Sequence, residues 1–174
     1  GSDDVPHSLV LNYDGSVVAF GMPMVGNAKG SAGVYQLVGG TWTQLGSNIN
    51  GVNDYDVFGS SVALSYDGLT LAVGAYFSES AAGSVTILTF DGSTWTQKGQ
   101  KLDGLINQMA GYSVDLNGDG SRVAVGGTAD SNSQHSDVKV YEFDGSQWIQ
   151  LGADIVAVAA ENSHGWSLRM NEFG

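Results

Sequence analysis

GGTWTQLG at 39–46, DGSTWTQKG at 91–99 and DGSQWIQLG at 144–152 are three versions of one segment, and their tryptophans, Trp42, Trp95 and Trp148, stand 53 positions apart. Self-similarity at a period near 50 residues belongs to propeller blades or solenoid turns, units that cannot bury an apolar face alone and therefore stack on neighbours. The likeness runs through the whole unit. LVLNYDGSVVAFG (9–21), VALSYDGLTLAVG (62–74) and VDLNGDGSRVAVG (114–126) lie in register, each closing on a glycine. The chain reads as one repeat domain over 1–174, with units at about 5–52, 53–105 and 106–158. HGWSLRMNEFG (164–174) matches FGSSVALSYDG (58–68), so a partial fourth unit occupies about 159–174.

In the second unit, short strands are expected at 60–65, 69–75, 83–90 and 94–99. Tyr66-Asp67-Gly68 and Asp91-Gly92-Ser93 are the turns between them, because Asp-Gly between alternating apolar residues supplies the positive φ of a tight hairpin. The stretch LTLAVGA at 69–75 is apolar or small on both faces and must be covered on two sides, whereas 94–98 is polar around its tryptophan. That gradient predicts an all-β, propeller-like array of about three four-stranded antiparallel blades plus part of a fourth, with the last strand of each on the rim. A closed propeller takes about four to eight blades. The expected partners are therefore further blades of a longer chain, or copies of this one in a homo-oligomer or filament.

The formal net charge is −12, from 18 acidic and 6 basic residues, and the basic ones are scattered singly. Nucleic acid and anionic membrane surfaces, which bind clustered basic side chains, are poor partners for such a surface. No run of about 18 apolar residues is present, so membrane insertion is not expected. With no cysteine, disulfides are excluded. Acidity of this degree fits solubility, cation binding or a saline extracellular setting.

Phe58-Gly59-Ser60-Ser61-Val62-Ala63 followed by Leu71-Ala72-Val73-Gly74-Ala75 resembles the FG-GAP repeat, the blade unit of the integrin alpha-chain β-propeller, and 42–46 is similar to Trp-Thr-Gln-Leu-Gly repeat proteins of microalgae and bacteria. The Phe-Gly pair becomes Val5-Pro6 in the first unit and Ala110-Gly111 in the third. The resemblance implies a calcium loop of the form Asp-x-Asn/Asp-x-Asp-Gly, whose hard oxygen ligands converge on the ion. Asp115, Asn117 and Asp119 match its first three ligand positions, while Val123 stands where a further carboxylate is expected. Val10, Asn12 and Asp14, and Ala63, Ser65 and Asp67, are the weaker counterparts, and plain hairpin turns are the competing account of all three loops.

Catalytic motifs are sparse. His7, His135 and His164 form no ligand spacing, and neither a Gly-x-Ser-x-Gly elbow nor a phosphate-cradling glycine loop occurs. The three recurring tryptophans read as pegs of the outer strand rather than a sugar-stacking ring, and Trp166, which replaces a serine, is the aromatic that stands apart. Recognition is expected in segments that differ between copies, 22–32, 76–82 and 128–136, and in the linkers 47–57, 100–109 and 153–163. The resulting expectation is a non-enzymatic extracellular or cell-surface module for adhesion, self-assembly or protein interaction, with Ca2+ as its one candidate cofactor. The alternative is a carbohydrate-binding or carbohydrate-processing propeller, with glycans as partners. For that alternative Asp54, Asp56, Asp103 and Asp115 are the acidic residues that would have to gather at carboxylate separations of about 5 or 9 Å.

Overall fold

The computed structural model describes residues 5–128, 137–156 and 167–174. Each repeat unit forms one antiparallel sheet. Blade one comprises β1 (Ser8–Leu11), β2 (Val17–Met22), β3 (Ser31–Val38) and β4 (Thr41–Gln44), with β5 (Ile49–Asn50) returning to pair with the start of β3. Blade two repeats this as β6 (Ser61–Leu64), β7 (Thr70–Ala75), β8 (Ser84–Phe90), β9 (Trp95–Gln97) and β10 (Leu102–Asp103). Blade three has β11 (Ser113–Leu116), β12 (Arg122–Gly127), β13 (Asp137–Phe143) and β14 (Trp148–Val156), the last running unbroken where the other blades use two strands. The expected count of four strands per blade thus holds in the third blade. In the first two, the outer strand stops near Gly46 or Gly99 and a fifth short strand follows, whereas Gly152, with a similar φ of 70°, lies within the continuous β14.

The blades are stacked face to face, and the core lies between them. All six residues of β7 are buried. Leu71 and Val73 pack with Val17, Ala19, Ala32 and Val34 of blade one. Ala72, Val85 and Ile87 pack with Val114, Val123 and Val125 of blade three. This is the two-sided cover that the apolar stretch at 69–75 requires.

Two devices set the spacing between blades. Residues 26–28 and 79–81 follow β2 and β7 as left-handed turns, with φ from 51° to 64°, and their carbonyls hold the linker that leads to the next blade. Tyr55 N donates to Asn27 O at 3.1 Å and Met109 N to Ala81 O at 2.9 Å. The second device is glycine against glycine. A Cβ on Gly21 would stand 1.9 Å from Gly59 O and one on Gly74 2.1 Å from Gly111 O, so the glycine ending each second strand lets the next blade's Phe-Gly or Ala-Gly turn approach.

The outer strands carry the recurring tryptophans. Trp95 Nε1 donates to Leu45 O at 2.8 Å and Trp148 Nε1 to Lys98 O at 2.7 Å, each indole lying over the preceding blade's glycine, Gly46 or Gly99. Trp148 is 2% exposed, whereas Trp42, whose blade has no described neighbour on that side, is 44% exposed. Around Trp42 the apolar side chains of Leu9, Leu11, Val18, Phe20 and Tyr35 line an open groove. In blades two and three the equivalent face is covered by the blade before it.

Candidate axial site

The innermost strands β1, β6 and β11 and the opening of the fourth unit, 167–170, converge on one side of the stack. The fourth unit takes up the inner position expected from the repeat. Met170 N donates to Asp115 Oδ2 at 2.7 Å and Gly118 N to Glu172 O at 3.1 Å, just as Tyr66 N donates to Gly118 O at 2.8 Å one blade earlier. Phe173 O accepts from Arg122 Nη1 at 3.0 Å. Two hollows result along this inner edge. One, of about 220 Å3, is lined chiefly by hydroxyls: Ser8, Ser60, Ser61, Tyr112, Ser113 and Ser167, with Arg169. The other, of about 390 Å3, shares Leu9 and Arg169 with it and adds Tyr13, Tyr66 and Asp115.

Repeat geometry explains the hydroxyl collar. Each inner strand opens with a serine, and in the first two blades its hydroxyl closes the next blade's entry turn: Ser8 Oγ donates to Gly59 O at 2.9 Å and Ser61 Oγ to Gly111 O at 2.8 Å. These hydroxyls spend their protons on backbone carbonyls and so offer oxygen lone pairs to the hollow. Arg169, exposed and with Nη1 donating to Leu168 O at 3.3 Å, lines the same hollow. Tyr112 joins the collar to an aromatic cluster, with Tyr76 5.2 Å from it and Phe77 5.0 Å from Tyr76. Burial, with Tyr112 beside it, pushes the Tyr76 phenol above its ordinary pKa and keeps it a neutral donor. Neither Arg169 nor this cluster stands out in the sequence, because the collar is assembled from one or two residues per copy.

The proposed calcium loop is built as a hairpin turn. Asn117 Oδ1 accepts from Arg122 N at 2.8 Å and Asp119 Oδ1 from Ser121 N at 2.9 Å, while Asp115 Oδ1 accepts from Leu116 N at 3.0 Å. Blade one repeats the arrangement with Asn12 Oδ1 and Asp14 Oδ1, at 2.8 and 2.9 Å from Val17 N and Ser16 N. Hydrogen bonds from Ser121 hold the Asp119 carboxyl below the usual carboxylate range. Among the described residues no group of three or more His, Cys, Asp or Glu side chains is placed to share a metal ion.

The four acidic candidates for sugar chemistry lie in different places. Asp54 pairs with Lys29 at 3.4 Å, Asp103 pairs with Lys101 at 2.9 Å, and Asp56 accepts from Asn53 at 3.1 Å. Only Asp115 reaches the axis. Trp166, His135 and His164, with most of the variable loop 128–136 and of the linker 153–163, lie outside the described residues. His7 is on the inner edge, its backbone N bonded to Gly21 O at 2.8 Å.

Three blades, stacked face to face along a common inner edge, form a β-propeller-like array. The fold matches that of a candidate 6-phosphogluconolactonase from Bacteroides fragilis, with a TM-score of 0.65 at 16% identity over 96% of this chain and 42% of that one. A second candidate 6-phosphogluconolactonase, from Bacteroides uniformis, matches at 0.61 with 15% identity over 89% of this chain and 41% of that one. A hypothetical selenium-binding protein from Sulfolobus tokodaii matches at 0.56 with 13% identity, covering 90% of this chain and 44% of that one. The chain spans less than half the length of the structures it matches. No known family profile and no curated protein sequence matches it.

These likenesses correct the expectation that the chain is not an enzyme. Two of the matched propellers are named as enzymes, so the fold is one in which catalysis is found. The expectation rested on missing local motifs, and a site assembled from single residues of several blades leaves no local motif to find.

Proposed function

We propose that this chain forms part of a carbohydrate-binding or carbohydrate-processing β-propeller whose ligand, an anionic sugar or sugar lactone, sits in the axial hollow. The observation that carries the reading is the hollow lined by the hydroxyl residues Ser60, Ser61, Tyr112 and Ser113 together with Arg169. Lone pairs on the collar suit sugar hydroxyls, the guanidinium suits a carboxylate or phosphate, and the Tyr112–Tyr76 pair suits an apolar sugar face. The names of the two Bacteroides neighbours add weight to this alternative over adhesion. Lactone hydrolysis would need a base for water and a donor for the developing oxyanion. Asp115 is the carboxylate and Arg169 the guanidinium residue lining the axial hollows that could take those roles. The test is calorimetric titration with 6-phosphogluconate. Saturable binding that falls at least tenfold in Arg169→Gln, about 1.4 kcal/mol, supports the reading, and equal binding or none in both proteins refutes it.

A further part of the reading is that another blade of the same kind covers the open face of blade one. Trp95 and Trp148 each find a carbonyl and a glycine on the blade before them. Trp42 stands on an exposed face with the same residue types and calls for the same contact.

A further inference from the structure

Between blades one and two lies a cavity of about 350 Å3, and at the equivalent place between blades two and three described side chains reach across the space. Register equates Ser84 with Asp137, because they pair with Ala75 and Gly127, and Thr86 with Lys139, because they pair with Val73 and Val125. The 53-residue spacing equates Lys101 with Asp154, and position before the blade entry equates Asp56 with Gln108. Between blades two and three the space is filled. The aminobutyl arm of Lys139, 15% exposed, brings its ammonium to 3.6 Å from Asp137 and 3.7 Å from Asp154. Gln108 closes the group by donating to both oxygens of Asp137, at 2.6 and 2.5 Å.

Between blades one and two the short side chains of Ser84 and Thr86 replace that acid and that arm. A carboxylate, Asp56, stands where Gln108 stood, and Ile49 and Phe58 provide an apolar wall. Lys101 also lines the space, but its ammonium is held by Asp103 at 2.9 Å and Glu79 at 3.9 Å. With that ammonium paired to Asp103 and Glu79 outside the lining, Asp56 is the lining charge that a positive guest would meet. We infer that this cavity is a binding site for a short primary alkylammonium ion, which places its chain where the Lys139 arm runs in the next blade pair and its N–H groups on Asp56 and the Ser84 hydroxyl. This site is separate from the axial hollow and does not depend on the sugar reading.

The probe is n-butylammonium, titrated into the 15N-labelled chain at constant ionic strength, with tetramethylammonium as the cation that has no N–H to donate. Saturable shifts of the Asn53, Thr86 and Gln97 amides with butylammonium alone are expected, weakened at least tenfold in Asp56→Asn. Thr86→Lys supplies the arm from within the chain, and should abolish binding while raising the melting temperature. Equal, non-saturating shifts with both cations would overturn the site, as would butylammonium binding that persists in Thr86→Lys. Should Thr86→Lys not fold, the contrast between the two cations and the Asp56→Asn titration still decide the matter.

Discussion

A tryptophan at the same position in three units has three different environments, and its energetic weight follows the neighbour rather than the motif. Trp148 is buried, donates to Lys98 O and receives the Lys98 ammonium 5.6 Å from its ring. Trp148→Ala therefore costs about 3–5 kcal/mol in urea unfolding, while Trp42→Ala in the isolated chain costs about 1 kcal/mol. Equal losses would show that the indoles act within their own blades. The turn aspartates behave as a second set of equivalents. Asp91 and Asp144 accept from the backbone of Thr94 and Gln147 and from the following serines, and these bonds lower both carboxyl pKa values, as neighbouring serine bonds do for Asp14. A depressed folded-state pKa means stability that is present above the unfolded value, about 3.9, and is lost as pH falls through the folded one. Acid unfolding should thus begin below about pH 4, and Asp91→Asn should flatten that limb of the stability–pH curve. An unchanged acid limb would remove these turns as its cause.

Strands and turns within a blade were legible from the sequence because their signals are local. The expected strands at 69–75 and 83–90 of the second unit correspond to Thr70–Ala75 and Ser84–Phe90, and the Asp-Gly turns fall between strands as read. What was not legible is contact between units. The left-handed turn at 26–28 opens with Gly26 and Asn27, which favour φ near 60°, but its counterpart at 79–81 is Glu79-Ser80-Ala81, which carries no such signal, and both are held in place by the linkers they clasp. The returning strands Ile49–Asn50 and Leu102–Asp103 are only two residues long and gain their identity from pairing with β3 and β8. The glycine ending each second strand recurs visibly, but its purpose lies in the next blade's backbone. Gly74→Ala would drive a methyl into Gly111 O, and since the acceptor is backbone rather than a movable side chain, a loss of about 1–3 kcal/mol is expected by thermal or urea unfolding. A neutral result would mean that the two blades can separate without penalty.

At the scale of the molecule, the ends of the array differ from its middle. Blade two is covered on both faces, whereas blade one presents Leu9, Leu11 and Trp42 at 66%, 51% and 44% exposure. Contiguous apolar surface of this kind invites association. Light scattering should give a mass above that of one chain at high micromolar concentration, lowered by Trp42→Ser, and a single-chain mass throughout would argue against a docked blade there. The candidate site is also a property of the whole array, which is why so little of it could be read residue by residue. Asp115, which the sequence offers as a calcium ligand, also lines the inner hollow and accepts from Met170 N of the fourth unit, a contact no local motif announces. Arg169 belongs to that fourth unit and gains its place only when the three inner strands and the segment 167–170 converge. The most direct measurement is a residue-resolved NMR titration of the 15N-labelled chain with 6-phosphogluconate. Saturable shifts gathered at Ser60, Ser61, Tyr112, Ser113 and Arg169, which belong to three units and meet only on the axis, are the predicted result. Shifts confined to the outer strands around Trp42 and Trp95, or no shifts at saturating ligand, would contradict an axial sugar site.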